Sequence, residues 1–222
     1  MTTEKDRETP MADTDTTGDT PRETLREEID AFKARMASGL PYDAYDPVLR
    51  PYRRRCMELL DEFNDTRLSD FAARENILGN LVDELGPGGW VMPRFICEFG
   101  FFIRIGAGTK INFDVLLLDC APITVGSHVM IAPRCQLLTG GHSLDPELRR
   151  AGREEARPIT IEDGVWLGAG VIVLPGVTIG RDTVVGAGSV VTKNLPPGVV
   201  AVGNPARVIR HLSPSDERSV TT

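Results

Sequence analysis

A period of six governs the second half of the chain. Aligned in sixes, it runs "IGAGTK", "INFDVL" and "LLDCAP", then "VGSHVM" and "IAPRCQ" after a two-residue shift. Beyond an interruption come "IEDGVW", "LGAGVI", "VLPGVT", "IGRDTV" and "VGAGSV". Ile105, Ile111, Leu117 and Ile123, and later Ile161, Leu167, Val173, Ile179 and Val185, lead their sextets. Val165, Val171, Val177, Thr183 and Ser189 recur four places on. An aliphatic every six, a turn-former beside it and a small residue at the fifth place describe short strands joined by corners. Three such strands close a triangular coil, and each coil buries its core only against its neighbours. Asn, Gly and Asp suit the unusual backbone angles of the corners. An ordinary antiparallel β domain would alternate at period two and show hairpin turns instead.

Helical spacing dominates earlier. "TPRETLREEIDAFKARMASGL" opens with Thr20, Pro21 and Glu23 in capping-box positions, places Leu25, Ile29, Phe32 and Met36 on one face, and stops at Gly39. A second run groups Tyr52, Cys56, Leu59, Leu60 and Phe63. A third, opened by Ser69, carries Ile77, Leu78, Leu81 and Leu85 and ends at Gly86. "LPYDAYDP", between the first two, fits no regular element. Residues 1–24 hold seven Asp/Glu against three Lys/Arg, and Met1, Met11 and Ala12 are their only aliphatic side chains. That composition predicts a disordered acidic tail over 1–24. A helical segment over 25–86, a repeat domain over 87–210 with a loop at 138–160, and a flexible tail over 211–222 complete the expected organisation.

A net charge of −7 argues against a nucleic-acid partner, which a basic stripe would serve. No export leader and no apolar run of membrane-spanning length is seen, so a cytoplasmic location away from membranes is expected. Cys56, Cys97, Cys120 and Cys135 show no C-x-x-C spacing and are expected as free thiols.

The rhythm lapses over residues 137–161, "LLTGGHSLDPELRRAGREEARPITI", for about three repeats' worth of chain, and His142 stands in the gap. The flanking "IEDGVWLGAGVIVLPGVTIGRDTVVGAGSVVTKNLPPGVVAVGNPARVIR", the loop "LLTGGHSLDPELRRAG" and the helical "MASGLPYDAYDP" together resemble the hexapeptide-repeat acyltransferases. The nearest members are the maltose, galactoside and other sugar O-acetyltransferases, and the likeness spans roughly residues 30–210. It implies a mainly β fold: a left-handed parallel β-helix with an N-terminal helical segment and an extended loop. It also implies acetyl transfer from acetyl-CoA to a sugar hydroxyl, with no metal and with a homotrimer whose sites lie between subunits.

In that family a loop histidine serves a neighbouring subunit's site, and His142 matches it. A sugar hydroxyl holds its proton far above pH 7, so a base must remove it during attack, and imidazole suits the task. The resemblance further implies Ala169, in the turn "WLGAG", as the backbone N–H donor to the oxyanion. Trp166 would wall the thioester end. Gly168, Ala169 and Ala187 would let the cofactor approach the backbone, and Thr192, Lys193, Arg207 and Arg210 would hold it further along, the cations facing its phosphates. Asp43, Asn112 and Asp119 would bind acceptor hydroxyls. His128 and His211 fall in no matched motif. Lys110, Cys120 and Phe102 depart from residues usual in the sugar enzymes and leave the acceptor open. A hydroxylated antibiotic is the alternative acceptor, a zinc-dependent carbonic-anhydrase-like coil a remoter one, and a catalytically silent coil the structural alternative.

Overall fold

The computed structural model describes residues 22–213, with side chains described from residue 29 onward. Thr20 and Pro21, the acidic tail as far as residue 21, and residues 214–222 lie outside the described residues. From residue 84 the chain winds through three faces in strict rotation. The first face stacks Glu84–Leu85, Ile103–Ile105, Ile123–Val125, Ile159–Ile161 and Thr178–Ile179. The second stacks Trp90–Val91, Lys110–Ile111, Met130–Ile131, Trp166–Leu167, Val184–Val185 and Val199–Val202. The third stacks Phe95–Cys97, Val115–Leu118, Gln136–Leu138, Ile172–Val173 and Val190–Val191. All pairings between successive coils are parallel. This is the β-helix the six-residue period predicts.

Burial follows the sextets. Every leading residue named above is at most 2% exposed, and so are the fifth-place residues Val165, Val171, Val177, Thr183 and Ser189. Corners take left-handed backbone angles at Gly164, Gly170, Gly176, Asp182 and Gly188, six apart, and earlier at Gly108, Asp114, His128 and Arg134. His128 is therefore a corner residue, with its ring set against Gly108. In the later coils Thr160 pairs with Thr178, 18 residues on, whereas Ile103 pairs with Ile123, 20 on. The difference is the two-residue shift seen in the sequence. Across the interruption Ile123 pairs with Ile159, 36 residues on. The excursion thus amounts to about one coil of chain, and the stack resumes in register above it.

Three helices precede the coil: α1 (Arg22–Ala37), α2 (Arg50–Asn64) and α3 (Phe71–Leu81). Beyond α1, Gly39 takes a φ of +77°, the stop its position predicts. The α3 boundaries differ from expectation. Asp70, not Ser69, caps it, its carboxylate accepting the N–H of Ala73, and it ends at Leu81 rather than Gly86. Leu85 already belongs to the first coil, and a side chain on Gly86 would collide with Ala107 in the coil above it. α2 packs on the Phe95–Cys97 strand and α3 on the Trp90–Val91 and Glu84–Leu85 strands, covering the bottom of the prism. At the top, Leu195 bridges to Ile179, Gly203 and Ala206 bond Val190, and Arg207–His211 folds back antiparallel on Val199–Val202. His211 is therefore part of the final strand.

A second apolar cluster lies beside the coil. Ile29 and Met36 of α1, Tyr42, Ala44, Leu49, Phe99, Cys120, Ala121 and Ala156 form it. "LPYDAYDP" supplies its centre: it holds a two-residue strand, Tyr42–Asp43, and a short 3₁₀ turn, Pro47–Leu49, capped by Asp46. Phe102 packs edge-on against Phe101 at 4.8 Å beside this cluster, which gives its apolar character a structural reason.

Candidate active site

The excursion is a hairpin with a helical tip. Gly140–His142 runs out, α4 (Pro146–Arg150) turns on its cap Asp145, and Arg153–Ala156 returns. Returning, the chain also pairs with Tyr42–Asp43, so three short antiparallel strands form a separate small sheet. Its register sets Tyr42 opposite Glu154 and Glu154 opposite His142. Side chains directly opposite share a face of the sheet. One carboxylate accordingly serves two neighbours: Tyr42 donates its hydroxyl to Glu154 Oε2 at 3.0 Å, and His142 Nδ1 lies 3.7 Å from Glu154 Oε1. Tyr42 is 1% exposed and edge-packed on Phe32, whereas the His142 side chain is 60% exposed. Burial, with Cys120 and Glu154 adding to it, raises the Tyr42 hydroxyl far above the usual phenol range, so it remains a donor.

The sequence singles out His142 but indicates neither Glu154 beside it nor Tyr42 beyond that. Glu154 sits in the charged run "REEAR", which looks solvated, and only the hairpin register reveals its partners. Asp43 is brought to the same sheet, opposite Arg153, and one of its carboxylate oxygens accepts the N–H of Tyr45 at 2.9 Å. Asp119 is corrected. It is fully buried, its Oδ1 accepting the N–H groups of Glu98 and Phe99 at 2.8 and 2.9 Å and its Oδ2 that of Phe102 at 3.4 Å. It ties down a corner of the chain and presents no oxygen to an acceptor. Burial pushes its carboxyl up to about 7 against the pull of those donors. Cys120 is also beneath the surface, under Gly140, and burial pushes its thiol up to about 12.

The other candidates lie elsewhere on the prism. Asn112 and the turn Gly168–Gly170 both follow strands of the second face and precede strands of the third, so they share one edge. Backbone bonds from Asn112 to Ile131 and from Ala132 to Leu167 mark the steps between them. The hairpin leaves after the third face and re-enters at the first, which is a different edge. Trp166 is half exposed on the second face, between Met130 and Val184. Gly168 is buried, and an added Cβ would sit 2.6 Å from the N of Ala187 in the next coil. Coil stacking by itself requires this glycine. Ala169 is exposed; its carbonyl accepts from Gly188, and none of the turn's backbone bonds uses its N–H. Ala187, Thr192, Lys193 and Arg207 are exposed, and Arg207 and Arg210 lie on the final strand. Among the described residues no three His, Cys, Asp or Glu side chains are grouped as metal ligands, and no helix is long and apolar enough to cross a membrane.

Comparison with known proteins gives this arrangement its context. Residues 35–86 match the maltose acetyltransferase hexapeptide capping motif, and residues 158–193 match the bacterial transferase hexapeptide of six repeats. The galactoside O-acetyltransferase of Escherichia coli is 41% identical over 182 residues, which is 82% of this chain and 85% of that protein. A galactoside acetyltransferase solved in complex with coenzyme A superposes with a TM-score of 0.82 at 37% identity, covering 85% of this chain and 94% of the other. A hexapeptide-repeat acetyltransferase of Vibrio cholerae, solved with acetyl-coenzyme A, gives 0.76 at 42% identity, covering 81% and 97%. Capping segment and later coils are matched by the family models and four-fifths of the chain by the relatives, and the chain belongs to the maltose and galactoside O-acetyltransferases of the hexapeptide-repeat family.

Proposed function

We propose that the protein transfers the acetyl group of acetyl-CoA to a hydroxyl of a saccharide, with His142 as the general base. The carrying observation is the register of the small sheet, which sets a carboxylate at Nδ1 of an exposed imidazole. With Nδ1–H directed at Glu154, Nε2 is left as the acceptor of a proton. In the forward reaction Nε2 takes the proton of the acceptor hydroxyl as its oxygen attacks the thioester carbon. The tetrahedral oxyanion then collapses, the C–S bond breaks, and the imidazolium returns the proton to the CoA thiolate. The N–H of Ala169, uncommitted in its turn, suits the oxyanion. Similar alanines recur at other corners, so the resemblance selects Ala169 among them.

Asp43, on the far edge strand of the same small sheet, and Asn112 suit the acceptor's hydroxyls. Trp166, Ala187, Thr192, Lys193, Arg207 and Arg210 suit the donor, the cations through charge-assisted bonds to its phosphates. Both relatives solved with coenzyme A or acetyl-coenzyme A support that donor. His142 and Ala169 lie on different edges of one prism, which favours a site completed by a neighbouring subunit. The faces favour the same reading. Outward residues of the first face are Glu84, Arg104, Thr124, Thr160 and Thr178, whereas the second and third expose Met130, Trp166 and Ile96. A closed trimer would bury the apolar pair and leave the threonine face in water. Four buried free thiols suit a reducing cytoplasm.

The test is CoA release across a panel of mono- and disaccharides, aminoglycosides and other hydroxylated compounds, run beside sedimentation of the native protein. Turnover confined to non-sugar acceptors overturns the saccharide assignment, and a single-chain mass overturns the trimer.

A further inference from the structure

We propose that Tyr42 is a positioning residue for the reaction: its hydroxyl holds Glu154 in the rotamer that keeps His142 in its working orientation and tautomer. The inference rests on the reading of His142 as base and adds a partner from the N-terminal segment. Glu154 stands on the middle strand of the small sheet, and its side chain is only 20% exposed. A glutamate there has three rotatable bonds, and a contact of 3.7 Å to an exposed imidazole is too long to fix them by itself. The second oxygen is held by a buried group. Tyr42 is enclosed by Phe32, Met36, Ala44, Phe99, Cys120 and Ala156, and its phenol points out of that cluster at Glu154. The bond spans 112 residues of sequence, so it fastens the catalytic hairpin to the capping segment at the carboxylate itself.

The charged and titratable groups facing this row are few. Cys120 lies under Tyr42, protonated at ordinary pH because burial pushes its thiol up to about 12. Glu98, within electrostatic reach of Cys120, is bound to the Arg53 guanidinium at 2.6 Å. Arg153 and Asp43 stand opposite each other one register step away. None of these supplies Glu154 Oε2 with a donor. The Tyr42 hydroxyl does.

Tyr42→Phe keeps the ring and its packing and deletes the bond. Losing one hydrogen bond to a carboxylate predicts a fall in kcat of about three- to tenfold with KM for acetyl-CoA unchanged. Glu154→Gln places an amide N–H₂ or a neutral carbonyl at Nδ1 and is expected to cost more. The decisive comparison is the double variant. If Tyr42 acts through Glu154, adding Tyr42→Phe to Glu154→Gln lowers kcat no further. If Tyr42 only supports the cluster, the two losses multiply, and the proposal is overturned. A second readout is the nitrogen-15 spectrum of the His142 ring in the intact protein. The Nδ1–H form should dominate in the native chain and give way to a mixture in Tyr42→Phe, and an unchanged spectrum in that variant also overturns the proposal. Unaffected turnover in Tyr42→Phe, beside a His142→Ala variant that is inactive, removes Tyr42 and leaves the base. Full activity in His142→Ala removes both.

Discussion

The coil and the three-stranded sheet beside it hold their residues in opposite ways. In the coil each position is repeated above and below itself, so a leading aliphatic such as Leu137 or Ile123 is enclosed by others of its kind and is 0% exposed. Its register is set many times over, and the loss of one contact leaves the ladder in place. The sheet is assembled once, from strands of two, three and four residues drawn from distant parts of the chain. It carries an exposed histidine, a shared carboxylate and few apolar side chains of its own. Stability belongs to the coil and the proposed chemistry to the sheet, with the Tyr42 cluster joining them. A base that must meet a substrate stays accessible, and accessibility is what a stacked core denies.

If the division holds, the largest effect comes from the sheet. His142→Ala should lower kcat by about 10²–10⁴ while Tm and acetyl-CoA binding are kept, as steady-state kinetics and a thermal melt would report. A variant that turns over normally breaks the assignment of chemistry to the hairpin. Leu137→Ala is its mirror: a cavity in the coil costing about 2–5 kcal/mol in urea unfolding, with kcat of the folded fraction retained. Loss of kcat without loss of stability there would erase the distinction.

Asp119 probes the joint between the two regions. Burial pushes its carboxyl up from an ordinary 3.8 to about 7 on folding. The folded state therefore binds the proton more tightly, and the stability this gives is present at low pH and lost as pH rises through 7. Asp119→Asn cannot ionise. The melting temperature of the native chain minus that of the variant should fall by roughly 10 °C between pH 4 and 8. A difference independent of pH would mean that the three backbone donors outweigh burial and keep the group ionised throughout. The smallest effect expected is that of Lys193→Ala, a few-fold rise (about 1 kcal/mol) in KM for acetyl-CoA with kcat nearly unchanged, since an exposed lysine meets its phosphate in water. An unaltered KM would remove Lys193 from the donor's path.

The same contrast explains what could be read in the residues. Ile161, Leu167, Val173, Ile179 and Val185 announce their burial because a stacked coil demands one aliphatic per turn of six, and repetition makes the demand visible. His142 was visible as the residue that broke the rhythm, given its resemblance to related loops. Glu154 and Tyr42 were not. A two-residue strand has no periodicity, and nothing in "REEAR" or "PYDAYD" indicates that they pair across 112 positions. Asp119 misled for a related reason. A carboxylate next to a coil strand suggests a ligand, and the three N–H groups that claim it lie 17 to 21 residues earlier, on a corner with no signature of its own. The stacking demand on Gly168 was equally hidden, because a glycine that admits a ligand and one that admits the next coil look alike until the distance to Ala187 is known.

The covers at the two ends of the prism have a consequence of their own. A parallel ladder whose last rung is bare is a seed: another copy can add its own rung, and another after that, until a filament grows. Here α2 and α3 sit on the lowest rung, while Leu195, Ala206 and the returning final strand occupy the highest. Elongation along the axis is thereby blocked, which leaves the flanks to the closed association proposed above.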